Sequence, residues 1–301
     1  MGETQETVVV SFHGVRGSTP CSCPTVQRYG GNTSCVSVET ADHDPIVLDL
    51  GTGLRPWGCS MSQQSGLTLH ALVTHLHWDH IQGLPFFAPL LCGDTTLNIY
   101  GCAERGESLA EAFGRFIAPP FFPIRTADLP ATIRFHDVCD SDFAVGLASV
   151  MSRPVPHVGT TNGYRLSLHG LSIAYIPDHQ EPIGDPTYVD EAVLELCDGA
   201  DLLIHDGQLW PDELEMKQAW GHSTPEYALE VARQAGVKTL VLFHHDPAHD
   251  DASVDEMSAR VRERGSEVGV DTVLAATEGT SLTFPAVYEP FAGRLEQSVR
   301  S

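Results

Sequence analysis

Residues 74–80 read Thr74-His75-Leu76-His77-Trp78-Asp79-His80, three imidazoles and a carboxylate within six positions, directly after the apolar run 69–74. No other stretch constrains the fold as strongly, because it demands a strand that ends where the ligand-type side chains begin. Side chains alternate along an extended chain, so His75 and His77 point to one side and can reach a single metal ion. If the chain then turns into a helix, Asp79 and His80 project differently and can serve a second ion nearby.

The rest of the chain predicts what such a strand belongs to. Apolar runs of strand length recur at 8–12, 46–50, 97–100, 171–176, 202–204 and 239–243, several followed at once by His, Asp or Gly. Helical periodicity appears around 107–116, 190–197, 225–234 and 254–264, with Thr224 as N-cap before Pro225 and Gly236 suited to stop the third of these. Strands in two batches, with helices between and after them, predict an α/β layered sandwich. With no repeat, low-complexity tract or linker, residues 1–301 read as a single domain. Within the stretch 103–131, the Pro119-Pro120-Phe121-Phe122-Pro123 core is too broken for regular structure and too aromatic for a solvated linker, and the stretch is expected to be an inserted arm or lid.

Charge narrows the partners. With 17 Lys and Arg against 40 Asp and Glu, the net charge is −23, a poor match to extended nucleic acid, whose binding rests on neutralising phosphates. A small anionic substrate held by metal cations remains compatible. No segment approaches the ~20 apolar residues of a membrane span, and the acidic N-terminus does not resemble a signal peptide. Eight scattered cysteines without a C-x-x-C pair predict reduced thiols in a cytoplasmic protein.

His75-x-His77-x-Asp79-His80 resembles the signature of the metallo-β-lactamase-fold hydrolases, which implies an αββα four-layer sandwich with one or two metals at the sheet edges. The resemblance extends over about residues 8–280. Leu48-Asp49-Leu50-Gly51-Thr52-Gly53 is similar to the strand and turn preceding the motif, with Asp49 supporting the ligands from behind. By the same resemblance Pro156-His157 supplies the histidine that completes the first ligand set, Tyr175-Ile176-Pro177-Asp178 the carboxylate that bridges both metals, and the strand ending at His244 the last histidine. His244 and its neighbour His245 point to opposite sides of an extended strand, so only one serves; the position directly after the apolar run favours His244. The implied ligands are thus His75, His77 and His157 for one ion, Asp79, His80 and His244 for the other, and Asp178 between them. True β-lactamases of this fold carry Cys at the bridging position, so Asp178 disfavours antibiotic hydrolysis.

Two further segments resemble the ribonuclease Z and phosphodiesterase branch. Ala219-Trp220-Gly221-His222-Ser223-Thr224 and Ile204-His205-Asp206-Gly207-Gln208 imply that His222 protonates the leaving oxygen while Asp206 orients it, so that catalytic roles fall on Asp79, His222 and Asp206. His205 is expected to be structural. The Gly-rich turns around Phe12–Pro20 and Tyr29–Ser34 resemble the opening hairpin of small-molecule phosphodiesterases, with Arg16 or Asn32 as phosphate contacts; tight hairpins without a ligand fit them equally.

The implied cofactor is a pair of divalent cations, Zn2+ in the first place, with Mn2+ or Fe compatible because His and Asp do not select zinc sharply. The implied activity is metal-dependent hydrolysis of a small phosphodiester, a cyclic nucleotide or cyclic sugar phosphate. The alternatives are a ribonuclease Z-like transfer-RNA 3′ endonuclease and a lactone or thioester hydrolase. Against the RNA reading, the arm carries Arg105, Arg115 and Arg125 against Glu104, Glu107, Glu111 and Asp128, close to neutral. A homodimer is the family habit.

Overall fold

The computed structural model describes residues 6–287. The first five residues and the tail beyond Val287, for which the sequence offers no reading, lie outside the described residues. In chain order the strands are β1 (Thr7–Gly14), β2 (Cys35–Glu39), β3 (Ile46–Leu48), β4 (Thr68–Leu72), β5 (Thr96–Gly101), β6 (Thr132–Asp137), β7 (Ser141–Val145), β8 (Ala148–Pro154), β9 (Asn162–Leu168), β10 (Leu171–Ile176), β11 (Leu202–Asp206), β12 (Thr239–Phe243), β13 (Thr272–Ala275) and β14 (Ser281–Pro285). The helices are α1 (Leu54–Ser60), α2 (Trp78–Ile81), α3 (Leu109–Phe116), α4 (Glu191–Cys197), α5 (Pro211–Lys217), α6 (Pro225–Gln234) and α7 (Asp251–Gly265).

Two seven-stranded sheets result, ordered β14-β1-β2-β3-β4-β5-β6 and β13-β12-β11-β10-β9-β8-β7. Between their inner faces lies one core, in which Val10, Phe12, Leu48 and Leu72 from the first sheet meet Leu166, Tyr175, Val241 and Phe243 from the second. A second core fills the space between the second sheet and α4, α6 and α7, and a third lies on the outer face of the first sheet beneath α1 and α3. This is the expected αββα order of layers. Each fully buried large apolar side chain contributes ~1.5–3 kcal/mol, so the three cores together hold both sheet pairs in place.

The sheets are mixed, and the site depends on their parallel halves. Strands β3 to β6 run parallel, as do β10 to β13. Covered on both faces, β3 and β11 are buried at every residue, which is why β3 and the first three residues of β11 read as apolar runs in the sequence. The carboxyl ends of β3, β4, β10, β11 and β12 are followed by Asp49, the 75–80 motif, Asp178, Asp206 itself and His244. Ligands gather at such strand ends in α/β sheets because the connecting loops are free to carry polar side chains there.

Helix α6 spans the predicted 225–234, with the Thr224 side chain accepting from the Tyr227 N–H and Gly236 at φ +67° after it. The 103–131 segment is docked, not free. Ser108 and Glu111 form a capping box at the start of α3, and Leu109, Phe113, Ile117 and Leu129 are buried in the outer core of the first sheet. Its Pro-Phe stretch remains irregular, and Phe121 is 79% exposed.

The expectation of uniformly reduced thiols fails at one pair. Cys102 and Cys139, separated by 37 residues, form a disulfide; the other six cysteines are free. The two follow the adjacent parallel strands β5 and β6, a neighbour relation that sequence spacing does not reveal.

Candidate metal centre

All seven expected ligand residues meet at one end of the sandwich. Grouped by ligand atoms lying within 4.8 Å of one another, the cluster contains His75–His77–His157, His75–His80–Asp178 and Asp79–His80–His244. Asp178 sits centrally. Its Oδ2 is 3.0 Å from His80 Nε2, and its Oδ1 is 3.5 Å from His244 Nε2, 3.7 Å from His157 Nε2 and 3.9 Å from His75 Nε2. A carboxylate so placed can reach both halves of the cluster.

The imidazoles are held in defined orientations from behind. His80 Nδ1 lies 2.8 Å from Asp49 Oδ2, His157 Nδ1 2.6 Å from the Gly221 carbonyl, and His244 Nδ1 2.8 Å from Gln208 Oε1. Each acceptor fixes the proton on Nδ1 and leaves Nε2 facing inward, the arrangement that metal-binding histidines require. Asp49 also accepts from the Thr74 N–H at 2.8 Å and the Tyr175 hydroxyl at 3.0 Å. Both Asp49 and His244 adopt φ +61°, a left-handed conformation that non-glycine residues avoid. Backbone strain of this kind persists where the surroundings dictate a side-chain direction.

Charge is unevenly distributed. Burial holds His75 well below the usual imidazole range, reinforced by His80, and lowers His77 and His157 as well. Around His80 burial acts in the same direction, but the carboxylates of Asp79, Asp178 and Asp49 outweigh it and raise the group well above its ordinary value. Burial would raise Asp79 and Asp178, yet the facing histidines hold both well below the usual carboxylate range.

The donor set fits divalent cations. His75 Nε2 and Asp178 Oδ2 are buried without a hydrogen-bond partner; the 3.0 Å approach of His80 Nε2 to the latter lacks the geometry of a hydrogen bond. His77 Nδ1 and His157 Nε2 face each other at 3.3 Å, and His80 Nε2 and His244 Nε2 do the same at 3.3 Å. Buried polar atoms are normally satisfied, and an ion held between such facing nitrogens would satisfy both members of a pair at once. Histidine and carboxylate donors in groups of three or four suit zinc, and also manganese or iron.

Beside the cluster, His222 Nδ1 lies 2.8 Å from Asp206 Oδ2 and 3.7 Å from Asp178 Oδ1. Asp206 is itself pinned by the Gln208 N–H at 2.9 Å and the His179 N–H at 3.2 Å. Burial alone would lower the pKa of His222; the carboxylates of Asp206, Asp178 and Asp79 overcome it and raise it above the ordinary value. His205 is buried against His179 and points away, and His245 is turned to the Ala276 carbonyl at 2.9 Å, with burial lowering its pKa to about 3. Of the two adjacent histidines, His244 faces the cluster and His245 faces away from it.

The expected substrate contacts require correction. Arg16 is completely buried, with Nε donating to the Gly30 carbonyl and Nη1 to the Asp246 and His249 carbonyls, so it ties the N-terminal turn to the loop after β12. Asn32 donates through Nδ2 to Glu278 Oε1 at 2.5 Å. Neither side chain is free for a substrate. The turn does bind an anion through its backbone, as Gly-rich turns can, but that anion is Asp79, whose Oδ2 accepts the Ser18 N–H at 2.7 Å.

Two positions escaped the sequence reading. Gln208 carries no charge and matches no metal motif, although it lies within the quoted Asp206 segment. Gly221, at φ +88°, lies so close to His157 that a Cβ there would stand 2.2 Å from Nδ1; its place directly before His222 was the available signal.

Comparison with known proteins agrees with this geometry. The family described as Beta-lactamase superfamily domain matches residues 62–245, more than half of the chain. A protein named ribonuclease Z from Haloarcula marismortui is 28% identical over 298 residues, covering 85% of this chain and 92% of its own. The structure of the metallo-beta-lactamase fold protein YhfI from Bacillus subtilis superposes with a TM-score of 0.67 at 19% identity, covering 93% of this chain and all of that one. A structure described as a new diphosphatase from the PhnP family gives 0.66 at 18% identity, covering 94% and 99%. The matched family, the two packed sheets and the histidine–aspartate cluster at their edge agree: this chain belongs to the beta-lactamase superfamily and has the metallo-β-lactamase fold.

Proposed function

We propose that this protein is a metal-dependent hydrolase of a small phosphodiester, a cyclic nucleotide or cyclic sugar phosphate, with His222 as general acid. The carrying observation is the Asp206–His222 pair, joined at 2.8 Å and set against a seven-residue cluster suited to metal. His75, His77, His157, Asp79, His80, His244 and Asp178 would hold two divalent cations, which would supply Lewis acidity and lower the pKa of water from ~15.7 toward ~7.

The chain's own groups perform the remaining work. As the bond from phosphorus to the leaving oxygen breaks and one to the water oxygen forms, the departing oxygen needs a proton. His222 holds one: Asp206 engages Nδ1, fixes the ring and stabilises the imidazolium, so Nε2 is the atom that donates. Asp178 and Asp79 keep the charge of the cluster from becoming excessively positive before substrate arrives. An alkoxide is a poor leaving group and gains most from this proton, which is why the pair suits a phosphodiester better than a thioester.

Replacement His222→Ala tests the assignment. Turnover of a diester with an alkoxide leaving group is expected to fall ~10²–10⁴-fold, the usual range for a general acid. Turnover of a p-nitrophenyl diester, whose leaving group departs as an anion, is expected to fall less than about tenfold. Equal losses on both substrates contradict the assignment.

The relatives named ribonuclease Z favour a second reading, an RNA 3′ endonuclease. Net charge and the near-neutral 103–131 segment, in which Arg115 pairs with Glu107 at 2.9 Å, weigh against it. Cleavage of a transfer-RNA precursor with a steep salt dependence would establish that reading instead.

A further inference from the structure

A cavity of about 620 Å³ opens beside the metal centre, between the 76–86 segment and α3 with its following Pro-Phe stretch. Its walls include Leu76, Trp78, Phe86, Phe113, Phe116 and Phe121. We propose that this cavity receives an apolar aromatic group carried by the substrate, so that the preferred substrates are phosphodiesters with an aryl-bearing ester arm rather than simple sugar phosphates. The proposal rests on the phosphodiesterase reading above and narrows it.

Placement is the first argument. Trp78 lies between His77 and Asp79 and is largely exposed, so this part of the cavity wall borders the ligand-type side chains, whereas Leu76 turns the other way into the outer core of the first sheet. A molecule with its phosphate at the cluster has its ester arm within reach of this wall. Size is the second: small-molecule sites span roughly 300–1,000 Å³.

Chemistry is the third. Trp78, Phe86 and Phe121 are 72%, 60% and 79% exposed, an unusual concentration of large rings in water. Phe86 and Phe122 meet edge to face with centroids 5.8 Å apart, which leaves ring faces open to a further planar group. Among the lining side chains the polar groups are the Trp78 indole N–H, the Gln82 amide and the Arg115 guanidinium, the last already paired with Glu107. A bare sugar would bury hydroxyls here with few partners, which is costly, whereas an aromatic ring loses nothing.

Other occupants fit less well. The last described strand lies at the far edge of the first sheet: β14 pairs with β1, and the Val287 N–H donates to the His169 carbonyl at 2.8 Å. A second copy of the chain would prefer a flatter apolar face than a concave pocket lined from three directions.

Calorimetry with metal-loaded protein separates these cases. The probes are 2-naphthylmethylphosphonate and methylphosphonate, which share a headgroup and differ only in the arm. The naphthyl compound is expected to bind at least about tenfold more tightly, because an aromatic contact adds to apolar burial. Phe86→Ala and Phe121→Ala, both at exposed positions, are each expected to reduce that ratio about threefold or more. The same ordering is expected in kcat/KM for the 2-naphthylmethyl and methyl esters of p-nitrophenyl phosphate.

Equal affinities for the two phosphonates overturn the proposal, as does a naphthyl preference untouched by either substitution. If neither ester is turned over, the phosphodiesterase reading fails while the calorimetric ratio still decides the cavity. A wild-type dimer that Phe121→Ala converts to monomer in sedimentation assigns the rings to a subunit contact and overturns the proposal.

Discussion

His75, His77 and His157 form a half-open triad of imidazoles, whereas Asp79, His80 and His244 form a sealed one with a carboxylate inside it. His77 is exposed, and burial together with mutual repulsion keeps the imidazoles of this first triad depressed in pKa and ready to donate lone pairs. In the second triad every member is buried, and each is braced: Asp79 by the Ser18 N–H, His80 by Asp49, His244 by Gln208. The two also differ in what their loss does to the fold. Both join the ends of the two sheets around Asp178, but the first reaches solvent through His77 while the second is enclosed. One half of the cluster is built for access, the other for retention.

The largest effect that tests this contrast is on stability. His80→Ala leaves Asp49, Asp79 and Asp178 buried without their shared partner, and breaking a buried charge pair costs about 3–5 kcal/mol. His77→Ala removes an exposed ring and is expected to change stability by less than about 0.5 kcal/mol while still lowering metal content. Thermal unfolding of metal-stripped protein checks the pair; similar losses in both variants break the comparison.

An intermediate effect is expected behind the sealed triad. Gln208→Met keeps the size of the side chain but removes the acceptor that orients His244, and loss of such a partner typically weakens metal affinity 10–100-fold. Competition with a chromophoric chelator measures it, and an unchanged affinity removes Gln208 from the account.

The smallest effect concerns the N-terminal turn. Because Asn32 is engaged by Glu278, Asn32→Ala is expected to leave KM within about twofold and to cost about 1 kcal/mol of stability. A tenfold rise in KM would restore the phosphate contact that the sequence suggested.

The site was legible where chemistry and local order coincide. The 75–80 motif, Asp178, His222 and α6 with its Thr224 cap are written in neighbouring residues; the structure brings the motif, Asp178 and His222 to one end of the sandwich and forms α6 with its cap. What escaped depends on distant pairing. Edge strands β7 and β14 alternate only partly buried residues and acquire their identity from partners, in the case of β14 from β1 at the other end of the chain. Gln208 matters because β11 and β12 pair in a register that sets Asp206 opposite Phe243, which brings the following residues together. Arg16 misled for a related reason: a Gly-rich turn signals close approach to an anion, but not whether the anion belongs to a substrate or to Asp79.

The central claim is that these seven side chains hold a pair of divalent ions. Elemental analysis of protein purified without chelators, repeated on Asp178→Ala, tests it most directly. The account predicts close to two transition-metal ions per wild-type chain and a loss of at least one in the variant. A wild-type protein that neither carries such ions nor takes them up on reconstitution contradicts it.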